Sequence, residues 1–269
     1  MRQELRQEVG FGCPVERCGS PYLTWHHFDP PWNIEHHHRP DGMIALCLDH
    51  AHRADAGAYT AEQLIQLKLN GLQRSVAIRG RFDWMRRDLL VICGGNFYTD
   101  VRTVLQVGTT RCIWLDHDER ENLSISFCMP TMSADPRAYM VDNDWVVPPG
   151  AAADVVCPPS GKQLRVAYAN GDRFQVAFRE VRSLPALRAR HSSASGLQGA
   201  GLNFPLTTVE LWETAAGSSL EFGPHSTRLG GIQIRDSFMK NVGVGIQVGD
   251  AGGLSMPGTN DQESDGDAS

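Results

Sequence analysis

The chain lacks the sequence features of a membrane or exported protein. Its 269 residues contain no apolar run of the roughly 18 residues that a membrane-spanning helix needs. The N-terminus, MRQELRQEVG, has no apolar core of the kind found in signal peptides. We therefore expect a cytoplasmic protein with no membrane partner. Its seven cysteines would stay reduced, which favours metal ligation over disulfides for Cys13, Cys18 and Cys47.

Common catalytic motifs are also missing. The sequence contains no GxxxxGK[ST] phosphate loop, no GxSxG elbow and no GxGxxG fingerprint. No paired carboxylates stand out, which disfavours a carbohydrate-acting enzyme in the C-terminal part. There is no internal repeat of the kind that builds a solenoid. Outside the metal-binding pattern described below, no catalytic constellation is evident.

The chain has no overall excess of positive charge, since 25 Lys and Arg against 31 Asp and Glu give a net charge of −6 and a pI of about 5.9. Residues 1–88 are balanced, with 11 Lys and Arg against 11 Asp and Glu, whereas the tail from Asp250 has five acids and no base. A nucleic-acid enzyme needs a basic stripe rather than a basic protein. One candidate stripe follows the His-rich region, although a solvated linker surface explains it equally well: Arg74, Arg79, Arg81, Arg86 and Arg87.

The segment 11–68 holds three of the seven cysteines and seven of the ten histidines. A structural zinc takes four tetrahedral thiolate or imidazole ligands, commonly supplied as two close pairs. The pairs Cys13-x4-Cys18 and Cys47-x2-His50 have this spacing. We therefore predict a structural Zn²⁺ held by Cys13, Cys18, Cys47 and His50.

Local patterns place these residues on secondary structure. The run YLTWHHF predicts a strand that carries His26 and His27, GMIALC predicts a second strand, and LDHAHRAD predicts the start of a helix. Thr60 and Gln63 have the capping-box spacing, and the apolar stripe that follows predicts a helix over residues 61–74.

Strand, strand and helix around a Cys/His knuckle, with a histidine pair on the first strand, resembles the HNH endonuclease superfamily, the ββα-metal nucleases. The resemblance rests on CPVERC, WHHFDPP, GMIALCLDH and the downstream His52, and it spans about residues 9–73. It implies an endonuclease that hydrolyses phosphodiester bonds, most readily in duplex DNA, with Mg²⁺, Mn²⁺ or another divalent ion beside the zinc. By analogy alone, it suggests bacterial or phage-related defence.

The resemblance also implies roles for the histidines. By the order of the family's motifs, His26 is a ligand of the catalytic ion and His27 is the general base, since neighbours on a strand point to opposite faces and cannot do the same job. On the helix, the family's metal-binding histidine would fall at Ala51, and His52 is the nearest substitute.

The asparagine of the HNH motif has no counterpart in this sequence. The segment 41–43, Asp-Gly-Met, stands where an asparagine that orients the base would open the second strand. The orienting role then passes to a ring nitrogen of His37 or His38. Asp49 and Asp55 are most simply solvent-facing helix residues. Ala51 and the missing asparagine also support an alternative, a zinc-stapled nucleic-acid- or protein-binding module whose cleavage site has decayed.

Beyond residue 88 the pattern changes to short strands separated by turns. The clearest signal is a hairpin in QLRVAYANGDRFQVAFREV, where alternating apolar residues flank Asn170-Gly171. We predict an α+β protein, with a small zinc-stapled ββα-metal domain over 1–88, a mainly antiparallel β-rich domain over 89–249 and a disordered acidic tail over 250–269. The β-rich domain would serve recognition, sensing or oligomerisation through a regulatory ligand, a partner or self-association. Four further cysteines are expected in the core: Cys93, Cys112, Cys128 and Cys157.

Overall fold

The computed structural model describes residues 1–73, 76–84, 86–150 and 152–249. Helices and antiparallel sheets are both present, which confirms the α+β class with a β-rich part. The contacts between residues divide the chain into two units. The first comprises Met1–Asp83 and Val146–Ala169, and the second comprises Trp84–Trp145 and the residues from Asn170 onward. The expected division at residue 88 stays a prediction. Arg74 and the expected disordered tail at 250–269 lie outside the described residues.

The secondary structure includes four α-helices among the described residues. They are α1 (Arg2–Glu8), α2 (Leu48–Asp55), α3 (Ala61–Leu72) and α4 (Leu184–Arg190). The strands of the first half are β1 (Leu23–His27), β2 (Met43–Cys47), β3 (Ile78–Arg81), β4 (Leu89–Cys93), β5 (Asn96–Thr99), β6 (Thr103–Val107), β7 (Thr110–His117), β8 (Leu123–Cys128) and β9 (Tyr139–Val141). Those of the second half are β10 (Asp144–Val147), β11 (Ala152–Val156), β12 (Gln163–Tyr168), β13 (Arg173–Val181), β14 (Leu206–Thr214), β15 (Leu220–Phe222), β16 (Thr227–Leu229), β17 (Ile232–Ile234), β18 (Phe238–Lys240) and β19 (Val244–Val248).

The first unit is organised around the predicted strand pair. Strands β1 and β2 are antiparallel, with Leu23 opposite Cys47 and His27 opposite Met43. All five residues of β2 are buried, so this strand anchors the histidine-bearing β1 in the core. Helix α2 begins directly after β2, with Cys47 at its N-cap.

Two further helices hold this pair in place. The predicted capping box between Thr60 and Gln63 is present at the start of α3. Near the end of α3, a Cβ on Gly71 would lie 2.6 Å from Val9 Cα, so only glycine allows α1 to approach this closely. Lys68 Nζ lies 3.0 Å from a carboxylate oxygen of Glu8 and donates to the Pro40 carbonyl at 2.7 Å. Lys68 thereby ties α1 and α3 to the loop that precedes β2.

Residues 152–168 add a hairpin to this unit. Strands β11 and β12 pair antiparallel, and Arg6 of α1 donates to both carboxylate oxygens of Asp154, at 2.9 and 2.7 Å. A paired guanidinium and carboxylate that are both largely buried fix orientation as well as contributing energy.

The second unit is built on the long antiparallel pair β13 and β14. Their register runs from Arg173 opposite Thr214 to Val181 opposite Leu206. Both strands expected on either side of Asn170-Gly171 are present, β13 in this unit and β12 in the first. Three parallel pairs were not anticipated: β4 with β14, β5 with β18, and β6 with β19. Helix α4, capped by the Ser183 side chain, was also not anticipated. All four cysteines expected in the core are buried.

Candidate metal and catalytic centre

Three cysteines and one histidine converge in the first unit. One ligand atom from each of Cys13, Cys18, Cys47 and His50 lies within 4.8 Å of all the others. The His50 Nδ1 atom is 3.4 Å from Cys13 Sγ and 3.2 Å from Cys47 Sγ, and the Sγ atoms of Cys18 and Cys47 are 3.8 Å apart. The predicted set is therefore positioned to hold a metal ion.

The first pair of ligands sits on a tight knuckle. The Cys13 N–H donates to the Ser20 carbonyl at 2.9 Å, and the Gly19 N–H donates back to the Cys13 carbonyl at 3.1 Å. Gly19 has a φ of 65°, a conformation that glycine adopts without strain. A Cβ on Gly12 would lie 2.8 Å from the Gly19 carbonyl oxygen, so the knuckle closes only with glycine at that position.

The second pair comes from the junction of β2 and α2. Cys47 ends the strand and His50 follows within the first turn of the helix, so both side chains are carried by rigid elements. Burial raises the pKa of the Cys13 thiol to about 12 and also raises the pKa of Cys47. Without a bound cation, both thiols would therefore stay protonated at neutral pH.

The distances test whether a tetrahedral ion fits. With Zn–S bonds of about 2.3 Å and Zn–N bonds of about 2.0 Å, a tetrahedral site has S···S edges of about 3.8 Å and S···N edges of about 3.5 Å. The observed separations, 3.8 Å between sulfurs and 3.4 and 3.2 Å from sulfur to nitrogen, match these edges. The residues thus fit a four-coordinate ion of zinc's size and chemistry.

A cleft of about 580 Å³ lies at the C-terminal end of β1. Both His26 and His27 line this cleft, together with Asp55 from the end of α2. The remaining lining is mainly aromatic and apolar, and includes Trp25, Phe28, Trp32 and Tyr59. The two histidines contribute to one cleft although they are sequence neighbours on β1.

His27 is held by a backbone group. Its Nε2 lies 3.0 Å from the His37 carbonyl oxygen. A carbonyl oxygen only accepts, so Nε2 carries the proton and Nδ1 is left as an acceptor. Burial lowers the pKa of His27 below its ordinary value, and the neighbouring histidines lower it further, although the bond to the His37 carbonyl opposes this. A neutral imidazole with a defined tautomer results.

His37 is in turn fixed on both ring nitrogens. Its Nδ1 accepts from the Arg39 N–H at 3.1 Å, so Nε2 carries the proton and donates to the Pro30 carbonyl at 2.9 Å. The side chain is buried. A Cβ on Gly42 would collide with the Asp29 carbonyl and lie 2.9 Å from His37 Cε1. Gly42 therefore allows the loop that presents the His37 carbonyl to close.

His26 has a different partner. Its Nδ1 lies 2.8 Å from a carboxylate oxygen of Asp55, whose side chain is 69% exposed. Two neighbouring ligands of an octahedral ion with bonds of about 2.1 Å lie about 3.0 Å apart. The pair therefore fits two adjacent positions around an ion such as Mg²⁺. His52, expected as the helix ligand, is exposed and is not among the residues that line the cleft.

His38 was expected to orient His27 through a ring nitrogen. The orienting hydrogen bond comes instead from the main chain of His37, while the His38 ring centroid lies 5.9 Å from that of His27. The half-exposed Trp32 stacks on His36 at 4.4 Å between centroids and lies 4.7 Å from the His27 ring. These rings form an aromatic wall beside the candidate base.

The four described arginines of the candidate basic stripe fall in both units. Arg79 and Arg81 are exposed on β3 of the first unit. In the second unit, Arg86 lies over the Trp84 ring and donates to the Thr207 hydroxyl, and Arg87 lines a separate cavity. None of the four lines the histidine cleft. Their expected role stays a prediction.

Sequence reasoning missed two contributors to this centre. Asp55 is solvent-exposed as expected, but its contact with His26 was not predicted; it lies one helical turn after Ala51 and so reaches the same side of α2. The contribution of His37 is a main-chain carbonyl, which its residue type does not reveal.

Comparison with known proteins adds no further information, since no protein family, curated protein or solved structure matches the chain. Within the described residues, no helix has the length and apolar character needed to cross a membrane.

Proposed function

We propose that residues 11–68 form a metal-dependent endonuclease centre of the HNH type, which hydrolyses phosphodiester bonds in DNA. The observation that carries the proposal is the 3.0 Å contact between His27 Nε2 and the His37 carbonyl, in a cleft shared with His26 and Asp55. This contact leaves Nδ1 unprotonated and fixes the ring. A neutral, oriented imidazole is what a general base requires near pH 7.

The same cleft offers a place for a divalent ion. His26 and Asp55 would hold it, because their ligand atoms already lie 2.8 Å apart. Bound there, the ion would stabilise negative charge on the scissile phosphate and on the leaving oxygen. His27 would take the proton from the attacking water, and the His37 carbonyl would stabilise the imidazolium that forms.

The knuckle has a separate role in this proposal. Cys13, Cys18, Cys47 and His50 would hold a structural Zn²⁺, which leaves no coordination position open for water or substrate. Because Cys47 ends β2 and His50 belongs to α2, this ion would fix the angle between the strand pair and the helix. That angle sets the distance between His26 on β1 and Asp55 at the end of α2.

DNA is proposed as the substrate because of the resemblance of the motifs to HNH nucleases. Arg79 and Arg81 are exposed in the same unit as the cleft, and guanidinium groups bind phosphates well. Trp32, which is 43% exposed at the cleft, offers a surface for base stacking.

The experiment is cleavage of supercoiled plasmid by the purified, zinc-loaded protein with added Mg²⁺, Mn²⁺ or Ni²⁺, and with no added ion as the control, since a chelator would also remove the structural zinc. We expect nicked and then linear DNA in the presence of at least one ion and none without an added ion. Single-stranded DNA and RNA are tested in parallel to define the substrate.

A binding module without catalysis is the second candidate. The buried Ala51, at the helix position where the resemblance places a metal-binding histidine, favours it. Such a protein would bind one equivalent of zinc, take up no second ion under saturating Mn²⁺ and leave all three nucleic acids intact.

A further inference from the structure

A second cavity, with no part in the proposed cleavage, lies in the unit that begins at Trp84. It has a volume of about 180 Å³ and lies next to strands β4, β5 and β7. Its apolar lining includes Leu89, Val91, Val101 and Leu115. The cavity is smaller than the roughly 300–1,000 Å³ of sites for drug-sized ligands. It is comparable to the cavity of about 150 Å³ that binds benzene in another protein.

Tyr98 contributes to the lining of this cavity and is 1% exposed. Its hydroxyl is buried and makes no hydrogen bond with any described residue. Burial raises the pKa of Tyr98 above its ordinary value, so the group stays a protonated donor. An unpaired buried hydroxyl costs free energy, so a ligand that offered it an acceptor would gain from the contact.

The ring of Tyr98 is tightly held. Tyr98 pairs with Val91 of β4 and Met239 of β18. A Cβ on Gly245 would lie 2.7 Å from the Tyr98 Cε1 atom, so only glycine at 245 leaves room for the ring. The hydroxyl therefore cannot reach a partner elsewhere by a simple change of side-chain position.

The charged groups of the cavity have an excess of positive charge. The charged lining residues are two arginines, Arg87 and Arg102, and one aspartate, Asp100. His117 is a further polar group in the lining. Neither guanidinium makes a hydrogen bond or an ion pair with a described residue. Two unpaired guanidinium groups and one carboxylate leave a net attraction for one negative charge.

We propose that this cavity binds a small organic anion, with a body the size of a six-membered ring and one carboxylate or phosphate group. The apolar walls would take the ring, Arg87 and Arg102 would bind the anionic group, and the Tyr98 hydroxyl would donate to a polar atom of the ligand. The site is independent of the proposed nuclease centre.

The test uses calorimetric titration of the full chain with benzoate and phenyl phosphate, beside inorganic phosphate and benzyl alcohol at the same millimolar concentrations. We expect one equivalent of benzoate or phenyl phosphate to bind, and neither the ringless anion nor the neutral alcohol. Whichever of the two probes binds more tightly shows whether the site prefers a carboxylate or a phosphate group. Binding of no probe, or of inorganic phosphate as tightly as phenyl phosphate, would overturn the proposal.

Variants locate the binding. Arg102→Gln should lower the affinity for the tighter-binding probe by about tenfold, and Tyr98→Phe should lower it by about fivefold. Substitution of an exposed arginine, Arg235→Gln, should leave this affinity unchanged. Without ligand, Tyr98→Phe should melt at the same temperature as the parent protein or higher, because it removes an unpaired hydroxyl. A clearly lower melting temperature would show that the hydroxyl already has a partner and would contradict the assignment.

Discussion

His26 Nδ1 lies 2.8 Å from the Asp55 carboxylate, so the end of helix α2 supplies a charged group to the histidine that precedes the candidate base. This contact predicts which helix residue serves the second ion. Asp55→Asn should weaken Mn²⁺ binding by about tenfold or more, since the carboxylate is the only negative ligand proposed there. His52→Ala, on the same helix, should leave Mn²⁺ affinity unchanged. Electron paramagnetic resonance of free Mn²⁺ in titrations measures both. Loss of binding in His52→Ala with retention in Asp55→Asn would reverse the assignment.

The knuckle predicts a strong coupling between metal and folding. A structural zinc contributes its binding free energy to folding, roughly 10–16 kcal/mol in zinc-finger peptides. Cys47→Ser should therefore unfold residues 11–60 or make the protein insoluble, and chelators should do the same to the parent protein. Cys157→Ala, a buried cysteine of the same unit outside the cluster, is the control and should keep one equivalent of zinc. Metal analysis with circular dichroism checks this, and a folded, zinc-replete Cys47→Ser would remove Cys47 from the site.

Gly42 gives a prediction for the loop that holds His37. Its Cβ would collide with the Asp29 carbonyl and crowd the His37 ring, so Gly42→Ala should displace the carbonyl that fixes His27. A displacement of about 1 Å at a catalytic group can cost about 100-fold in rate. We expect DNA cleavage to fall by about this factor with zinc content unchanged. Gly231→Ala, where an added Cβ has nothing within 4 Å, is the matched control. Equal cleavage by the two variants would contradict the role of this loop.

A buried carboxyl group predicts the pH dependence of stability. Both Glu213 carboxylate oxygens are buried without a hydrogen-bond partner among the described residues, and burial raises the pKa of Glu213 well above its ordinary value, with Cys128 and Asp172 adding to the rise. The folded state therefore keeps a proton that the unfolded state releases above about pH 4.5. Its stability should fall as the pH rises from there, by at most about 1.4 kcal/mol per pH unit for this one group.

Glu213→Gln removes this titration. Its melting temperature relative to the parent protein should rise steadily between pH 5 and pH 8, as measured by calorimetry. A constant difference across that range, or one that shifts the other way, would show that Glu213 is ionised in the folded protein.

The sequence predicted the metal-binding part of the centre better than the cleft. Ligand spacing and strand or helix pattern were enough to select Cys13, Cys18, Cys47 and His50, because both pairs are local. Asp55 and the His37 carbonyl were missed for a physical reason. The first depends on the angle at which α2 crosses the strand pair, and the second is a backbone group.

The strands beyond residue 88 show the same distinction between local and long-range structure. The strands flanking Asn170-Gly171 follow from a local turn signal. The parallel pairing of β4 with β14 joins segments more than 100 residues apart, and parallel pairs leave no turn signature in the sequence.

The measurement that tests the central claim most directly is the rate of plasmid cleavage by His27→Ala, compared with the parent protein and His36→Ala at matched zinc content. His36 contacts the same Trp32 ring but has no proposed part in proton transfer. General bases typically contribute about 100-fold to 10,000-fold in rate. We predict a loss of this size in His27→Ala and near-parental cleavage in His36→Ala. Cleavage by His27→Ala at the parental rate would contradict the assignment of His27 as the base.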